Sequence, residues 1–313
     1  MELVSIADVR AAAEDVARAV VRTPLLPTLW DDELWLKPEN LQPVGSFKLR
    51  GATHAVARLD PAARSRGVVT HSSGNHGQAL AYAARAFGVP CTVVVPEGAP
   101  QVKVARMRAL GADVRLVPPA RRLAEAEQVV VDTGAVLVPP FDHPWIIAGQ
   151  GTVGLEIVAD LPDVDVVLVP VGGGGLSSGV ATAVKALRPS AAVVGVEPLL
   201  AADARDSLAA GEVVVWDVER TYRTCADGLR TNLSELTLAH LRDRLDGIVT
   251  VTEDEIVTAL GRLLGDARLV AEPSGAVALA ARLFHRDELP PGRTVAVVTG
   301  GNADPHVLAA VLG

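Results

Sequence analysis

Six short apolar runs constrain this chain most: residues 68–70, 92–95, 114–117, 166–169, 193–196 and 295–298, each closed by a turn. Their side chains are apolar in succession rather than in alternation, the pattern of strands covered on both faces. Segments 77–87, 102–110, 176–187 and 276–284 have the length and patterning of the covering helices. Strand, helix and next strand then follow as right-handed crossovers, so the expected class is α/β with open, twisted and mainly parallel sheets. Thr252-Glu253-Asp254-Glu255 is a capping box and should open a further helix. With aromatic residues at 3% against 49% apolar overall, small and β-branched side chains must build the core. The strand-turn-helix units between Ala52 and Pro144 look self-contained. The expected organisation is a large domain of residues 1–52 and 145–313 with a small α/β domain, 53–144, inserted in it.

Lys plus Arg number 29 and Asp plus Glu 37, a net charge of −8 that argues against nucleic acid as the main partner. The longest uncharged stretch, 166–184, is interrupted by Pro170 and four glycines, which argues against a membrane span. Two cysteines, Cys91 and Cys225, are too few for a disulfide framework, and no basic leader precedes an apolar run at the start. A cytoplasmic protein is expected.

Three turns carry chemistry. Gly172, Gly173, Gly174 and Gly175 follow the apolar run 166–169 and open a helix. Consecutive amides there can turn toward one anion without Cβ obstruction, and the helix dipole favours negative charge. The run is a phosphate cup in outline; no Gly-Lys-Ser/Thr follows it, and the GxGxxG spacing is missing. Lys48 sits just after Gly45-Ser46-Phe47 at a helix start, where the dipole lowers an amine pKa and assists imine formation. Read alone, it is better explained as a solvated surface lysine. Ser72, Ser73, Gly74, Asn75 and His76 form a third strand-to-helix turn, whose hydroxyl, amide and backbone donors suit a carboxylate. An imine-forming lysine, a phosphate cup and a carboxylate-binding turn together describe a pyridoxal phosphate enzyme acting on an amino acid. The reading of a different class is a nucleotide-binding oxidoreductase with pyrophosphate on the glycine run; it leaves Lys48 and the serine turn without roles.

The motifs Gly45-Ser46-Phe47-Lys48-Leu49-Arg50-Gly51-Ala52, Ser72-Ser73-Gly74-Asn75-His76-Gly77-Gln78, Ala148-Gly149-Gln150-Gly151-Thr152, the four glycines, Ala226-Asp227-Gly228, Glu272-Pro273-Ser274-Gly275 and Gly300-Gly301-Asn302 resemble, in order, those of the fold-type II (tryptophan synthase β) pyridoxal phosphate family. The serine/threonine dehydratase and serine racemase branch is the most similar. The resemblance implies two α/β domains with the cofactor between them, and a homodimer. It implies that Lys48 carries the imine, that Asn75 bonds the ring hydroxyl, and that Gly172 to Gly175 with Leu176 hold the phosphate. Phe47 and Gly228 would touch the cofactor and Thr299 would face the pyridine nitrogen, where serine is usual. Ser72, Ser73, Gly74 and His76 would bind substrate.

The implied reaction is loss of water from L-serine or L-threonine to give a 2-oxo acid and ammonia. Ser73 stands where racemases of the branch have the base opposite the lysine and where many dedicated dehydratases have alanine. Pro140-Phe141-Asp142, in contrast, resembles the dehydratase version of that segment. Serine racemisation and dehydration of threo-3-hydroxyaspartate are thus the alternatives, and Arg122 is a candidate contact for a second substrate carboxylate. Glu197, the Ala201 carbonyl and Asp203 resemble the subgroup's divalent-metal ligands, an oxygen set suited to Mg²⁺ or Ca²⁺.

Overall fold

The strand Val166–Pro170 is buried at every residue, and it lies inside a six-stranded sheet. In this computed structural model, which describes residues 2–99 and 101–312, ten strands occur. They are β1 (Leu26–Pro27), β2 (Leu34–Pro38), β3 (Val68–His71), β4 (Cys91–Pro96), β5 (Asp113–Val117), β6 (Val136–Leu137), β7 (Val166–Pro170), β8 (Ala192–Pro198), β9 (Gly247–Val251) and β10 (Thr294–Val298). The larger sheet runs β1-β2-β10-β7-β8-β9 and is parallel except where β1 meets β2. The smaller runs β5-β4-β3-β6 and is parallel throughout. All six expected strands form; β7, β8 and β10 are covered on both faces, whereas β5, at the edge of the smaller sheet, is fully buried only at Val114.

Helices begin earlier than the apolar pattern indicates. The helix Asn75–Phe87 starts two residues before the expected Gly77, with Gly74 at its N-cap. The helix Pro273–Phe284 starts at Pro273, whose fixed φ suits the first helical position and whose missing N–H costs nothing there. Thr252 caps the helix Glu253–Gly265 in the expected capping box.

The helix Lys48–Ala57 is held against the helix Pro144–Asp160, and that in turn against Gly175–Leu187, by glycines at the crossings. A Cβ on Gly149 would fall 2.6 Å from the Gly51 Cα, and one on Gly179 would fall 2.3 Å from the Ile147 carbonyl oxygen. The glycines of the Arg50-Gly51 and Ala148–Thr152 motifs thus set how closely three helices pack. Among the described residues no helix is long and apolar enough to cross a membrane.

Candidate active site

The carboxyl ends of β3, β7 and β10 deliver their loops to one region, the place where open parallel sheets bind ligands. β7 leads into the glycine run, β3 into the serine turn, and β10 into Thr299. Lys48 joins them through main-chain pairing. Ser46 bridges Gly300, the Phe47 amide donates to the Thr299 carbonyl at 3.1 Å, and the Gly301 amide donates to the Gly45 carbonyl at 2.9 Å. The residue before Lys48 is therefore tied to the end of β10.

The chain has only four lysines. Lys37 pairs with Glu156 at 2.6 Å, Lys185 with Asp246 at 2.6 Å and Lys103 with Asp227 at 3.7 Å. Lys48 has no acidic partner among the described residues; its Nζ donates to the Pro140 carbonyl at 2.7 Å. Burial brings its pKa down to about 8, so about a tenth of this amine is neutral and nucleophilic at pH 7, far more than for an ordinary lysine.

The glycine run meets protein on its Cβ side. A Cβ on Gly173 would lie 2.5 Å from the Phe141 ring, and one on Gly175 2.9 Å from the Phe141 Cβ. A Cβ on Gly174 would meet Leu233 and Thr237 at 2.8 Å, at a residue with φ +83°. Freedom from obstruction of an anion was the expected reason for these glycines. The contacts give a different one: Phe141, Leu233 and Thr237 press against the loop from its Cβ side. The amides of Gly172, Gly173 and Gly174 make no main-chain hydrogen bond among the described residues. One turn on, the buried Ser178 hydroxyl has no partner either. Unmet donors at a helix N-terminus fit a phosphate group.

Asn75 opens the helix after the serine turn, and both ends of its amide are engaged. Its Oδ1 accepts from Asn302 Nδ2 at 2.8 Å, and its Nδ2 donates to Glu272 Oε1 at 2.6 Å. The Thr299 hydroxyl donates to the Ser274 carbonyl at 3.2 Å, and the Gly228 amide donates to the Ser274 hydroxyl at 2.9 Å. Ser72, Ser73 and Gly74 line the turn half-buried. The His76 side chain is buried, with Nε2 on the Val138 carbonyl at 3.0 Å. Burial, and then the neighbouring Lys48, bring its pKa down to about 3, so it stays neutral. His76 can therefore meet a substrate through its main chain more readily than through its ring.

Lys48, Phe47, Asn75, Gly172 to Gly175, Leu176, Gly228 and Thr299 converge here. The pattern of the pyridoxal-phosphate dependent enzymes matches residues 16–300. The chain belongs to that family. It is 39% identical to the serine racemase of Dictyostelium discoideum over 100% of this chain and 99% of the relative. The crystal structure of that racemase superposes with a TM-score of 0.90, covering 96% of this chain and 99% of the other. An L-threonine ammonia-lyase of Thermotoga maritima is 41% identical over 99% of this chain and 78% of the relative. An L-threo-3-hydroxyaspartate ammonia-lyase of Saccharomyces cerevisiae is 38% identical over 95% of this chain and 93% of the relative. The enzyme thus has relatives with three different activities.

Glu197 and Asp203 stand at the end of β8 and at the start of the helix Asp203–Ala210. The two Glu197 oxygens accept from the Ala204 and Arg205 amides at 2.9 and 2.8 Å, and Asp203 Oδ2 accepts from the Leu233 amide at 3.2 Å. Asp203 Oδ1 is buried without a partner. No cluster of three or more His, Cys, Asp or Glu side chains able to hold a metal occurs among the described residues.

Two features were not anticipated. Arg50, fully buried, bonds Glu39 at 2.7 Å and Glu156 at 2.7 Å two residues beyond Lys48. Glu272 reaches Asn75 from the far side of the site. An Arg in a glycine-rich motif and a Glu before proline gave no sign of these contacts.

Proposed function

We propose that this enzyme removes water from a hydroxy amino acid, L-serine or L-threonine, releasing a 2-oxo acid and ammonia. The observation that carries the reading is Lys48, the one lysine without an acidic partner among the described residues, held by the carbonyl of Pro140 next to the Phe141 that packs on a glycine loop with unmet amides. Bound pyridoxal phosphate would supply an electron-withdrawing ring that acidifies the substrate Cα–H and eases departure of the β-hydroxyl. Lys48 would hold the cofactor and, once displaced, take the Cα proton on its own face. The amides of Gly172 to Gly175 and Leu176 would hold the phosphate, and Asn75 would donate to the ring oxygen. Ser72, Ser73, Gly74 and the His76 main chain would grip the substrate carboxylate at the helix N-terminus. Thr299 would offer the ring nitrogen a neutral hydroxyl, and a ring so held would be a modest electron sink suited to rapid elimination.

Serine racemisation is the second reading, favoured by Ser73, whose hydroxyl could serve the face opposite Lys48. Dehydration of 3-hydroxyaspartate, with Arg122 as the contact for the extra carboxylate, is the third. Incubation with each of the three substrates, followed by assay for 2-oxo acid and for the D-amino acid, separates them. Rapid 2-oxo acid from L-serine or L-threonine with little D-serine supports dehydration; no product from any of the three removes the proposal.

Division of the chain into residues 1–52 with 145–313 and residues 53–144 is supported by the two separate sheets. Mg²⁺ or Ca²⁺ on Glu197, the Ala201 carbonyl and Asp203 is supported by one unpartnered buried oxygen, Asp203 Oδ1. The unpaired Cys91 and Cys225 agree with a reducing, cytoplasmic location.

A further inference from the structure

Glu272 occupies the N-cap of the helix Pro273–Phe284, yet its side chain makes no capping bond. The carboxylate turns instead to Asn75 Nδ2, at 2.6 Å, while its own amide donates to the Gly300 carbonyl at 3.0 Å. The closeness of Gly300 makes this reach possible. A Cβ there would come 2.3 Å from Glu272 Oε1 and 3.2 Å from Asn75 Nδ2. The other side of Asn75 is fixed as well. Asn302 Nδ2 donates both to Asn75 Oδ1 and to the Val44 carbonyl, at 2.8 Å each, and Asn302 Oδ1 accepts from Arg106 at 3.3 Å.

An asparagine amide can turn over and exchange its donor and acceptor ends. Here the chain of bonds from Arg106 through Asn302 and Asn75 to Glu272 leaves one orientation. Asn75 Nδ2 carries two hydrogens, and Glu272 takes one of them. We propose that Glu272 is a positioning residue: by accepting from Asn75 Nδ2 it locks the amide so that the remaining N–H faces the ring oxygen of the cofactor. The inference rests on the reading of this cleft as the pyridoxal phosphate site. Besides Asn75, the carboxylate faces Asp227, Lys103 and the Asn302 amide. A buried acid beside another acid is an unfavourable arrangement for the fold alone, which argues for a task at this site.

The test is cofactor retention by the holoenzyme on dilution, followed through its visible absorption band, in wild type, Glu272→Ala, Glu272→Gln, Asn75→Ala and the double variant. Loss of the lock should weaken retention by about tenfold in Glu272→Ala. Glu272→Gln, which keeps an acceptor at the same reach, should stay within roughly threefold of wild type. The double variant should be no weaker than Asn75→Ala, because Glu272 acts only through Asn75. Should Glu272→Ala fail to fold, Glu272→Asp keeps the charge but withdraws the carboxylate, and should weaken retention likewise. Wild-type retention in Glu272→Ala or Glu272→Asp overturns the inference, as do effects of Asn75 and Glu272 that simply multiply. A wild type that takes up no cofactor at all defeats the reading of the site, and is thereby told apart from failure of the Glu272 role.

Discussion

The Phe141 ring stands where a Cβ of residue 173 would be, 2.5 Å from that position. Its neighbour Pro140 accepts the hydrogen bond of Lys48 Nζ. One short segment therefore packs against the glycine loop on its Cβ side and also holds the Lys48 amine. Displacing that segment disturbs both halves of the site together.

Gly173→Ala should accordingly weaken cofactor binding by about tenfold or more, since the methyl must push Phe141 aside. Gly173→Ala with Phe141→Ala should recover much of the loss, because the obstructing ring is gone. Spectral titration of the two apoproteins with pyridoxal phosphate checks this. A double variant as weak as the single one would mean that Phe141 is not the obstacle.

Arg50→Met should destabilise the fold by roughly 3–5 kcal/mol, the usual cost of leaving buried acids unpaired. Glu39 is fully buried and Glu156 nearly so, and both bond this guanidinium. Lys37 also reaches Glu156 at 2.6 Å, so removal of Arg50 leaves two acids with one cation. Urea unfolding of the variant measures the loss; a change below about 1 kcal/mol would show that Lys37 alone satisfies the cluster.

Stability should also report on Glu272. Burial, then Asp227, pushes its pKa from 4.5 up to about 7. A carboxyl raised on folding binds its proton more tightly in the folded state, so the stability it contributes is present below pH 4.5 and is lost as pH rises toward 7. In the apoprotein, Glu272→Gln should be more stable than wild type above pH 7, by up to roughly 3 kcal/mol, and the two should converge below pH 4.5. Thermal unfolding at pH 5 and pH 8 measures the difference, and an equal margin at both values would contradict the shift.

Ser73→Ala separates two reactions on one site. Elimination from an L-substrate needs Lys48 on one face, whereas inversion needs a proton donor or acceptor on the other. The substitution should suppress D-serine formation from L-serine far more than 2-oxo acid formation. A merely structural hydroxyl would cost about 1 kcal/mol in both reactions alike. Equal proportional losses would reduce Ser73 to a turn residue.

The sheets were legible because Val-rich runs such as 166–169 and 295–298 report burial on both faces within a few residues. The strand-to-helix turns at Gly172 to Gly175 and Ser72 to Asn75 were legible for the same reason: loop and helix start are adjacent in sequence. What could not be read was partnership across the fold. Arg50 meets Glu156 106 residues away, and Asn75 meets Glu272 197 residues away. Neither spacing has a local signature. Glu272 before Pro273 looks like an ordinary helix entrance, and only the backbone approach of Gly300 turns its carboxylate inward. The reason for Gly173 and Gly175 lay equally out of reach, since Phe141 precedes them by some thirty residues.

Lys48, and no other lysine, would carry the cofactor. Borohydride reduction of the purified holoenzyme followed by peptide mass spectrometry tests it directly. A pyridoxyl group attached to Lys48, and none in Lys48→Ala, is the expected result. Attachment at Lys37, Lys103 or Lys185, or a holoenzyme whose visible band survives Lys48→Ala, would contradict it.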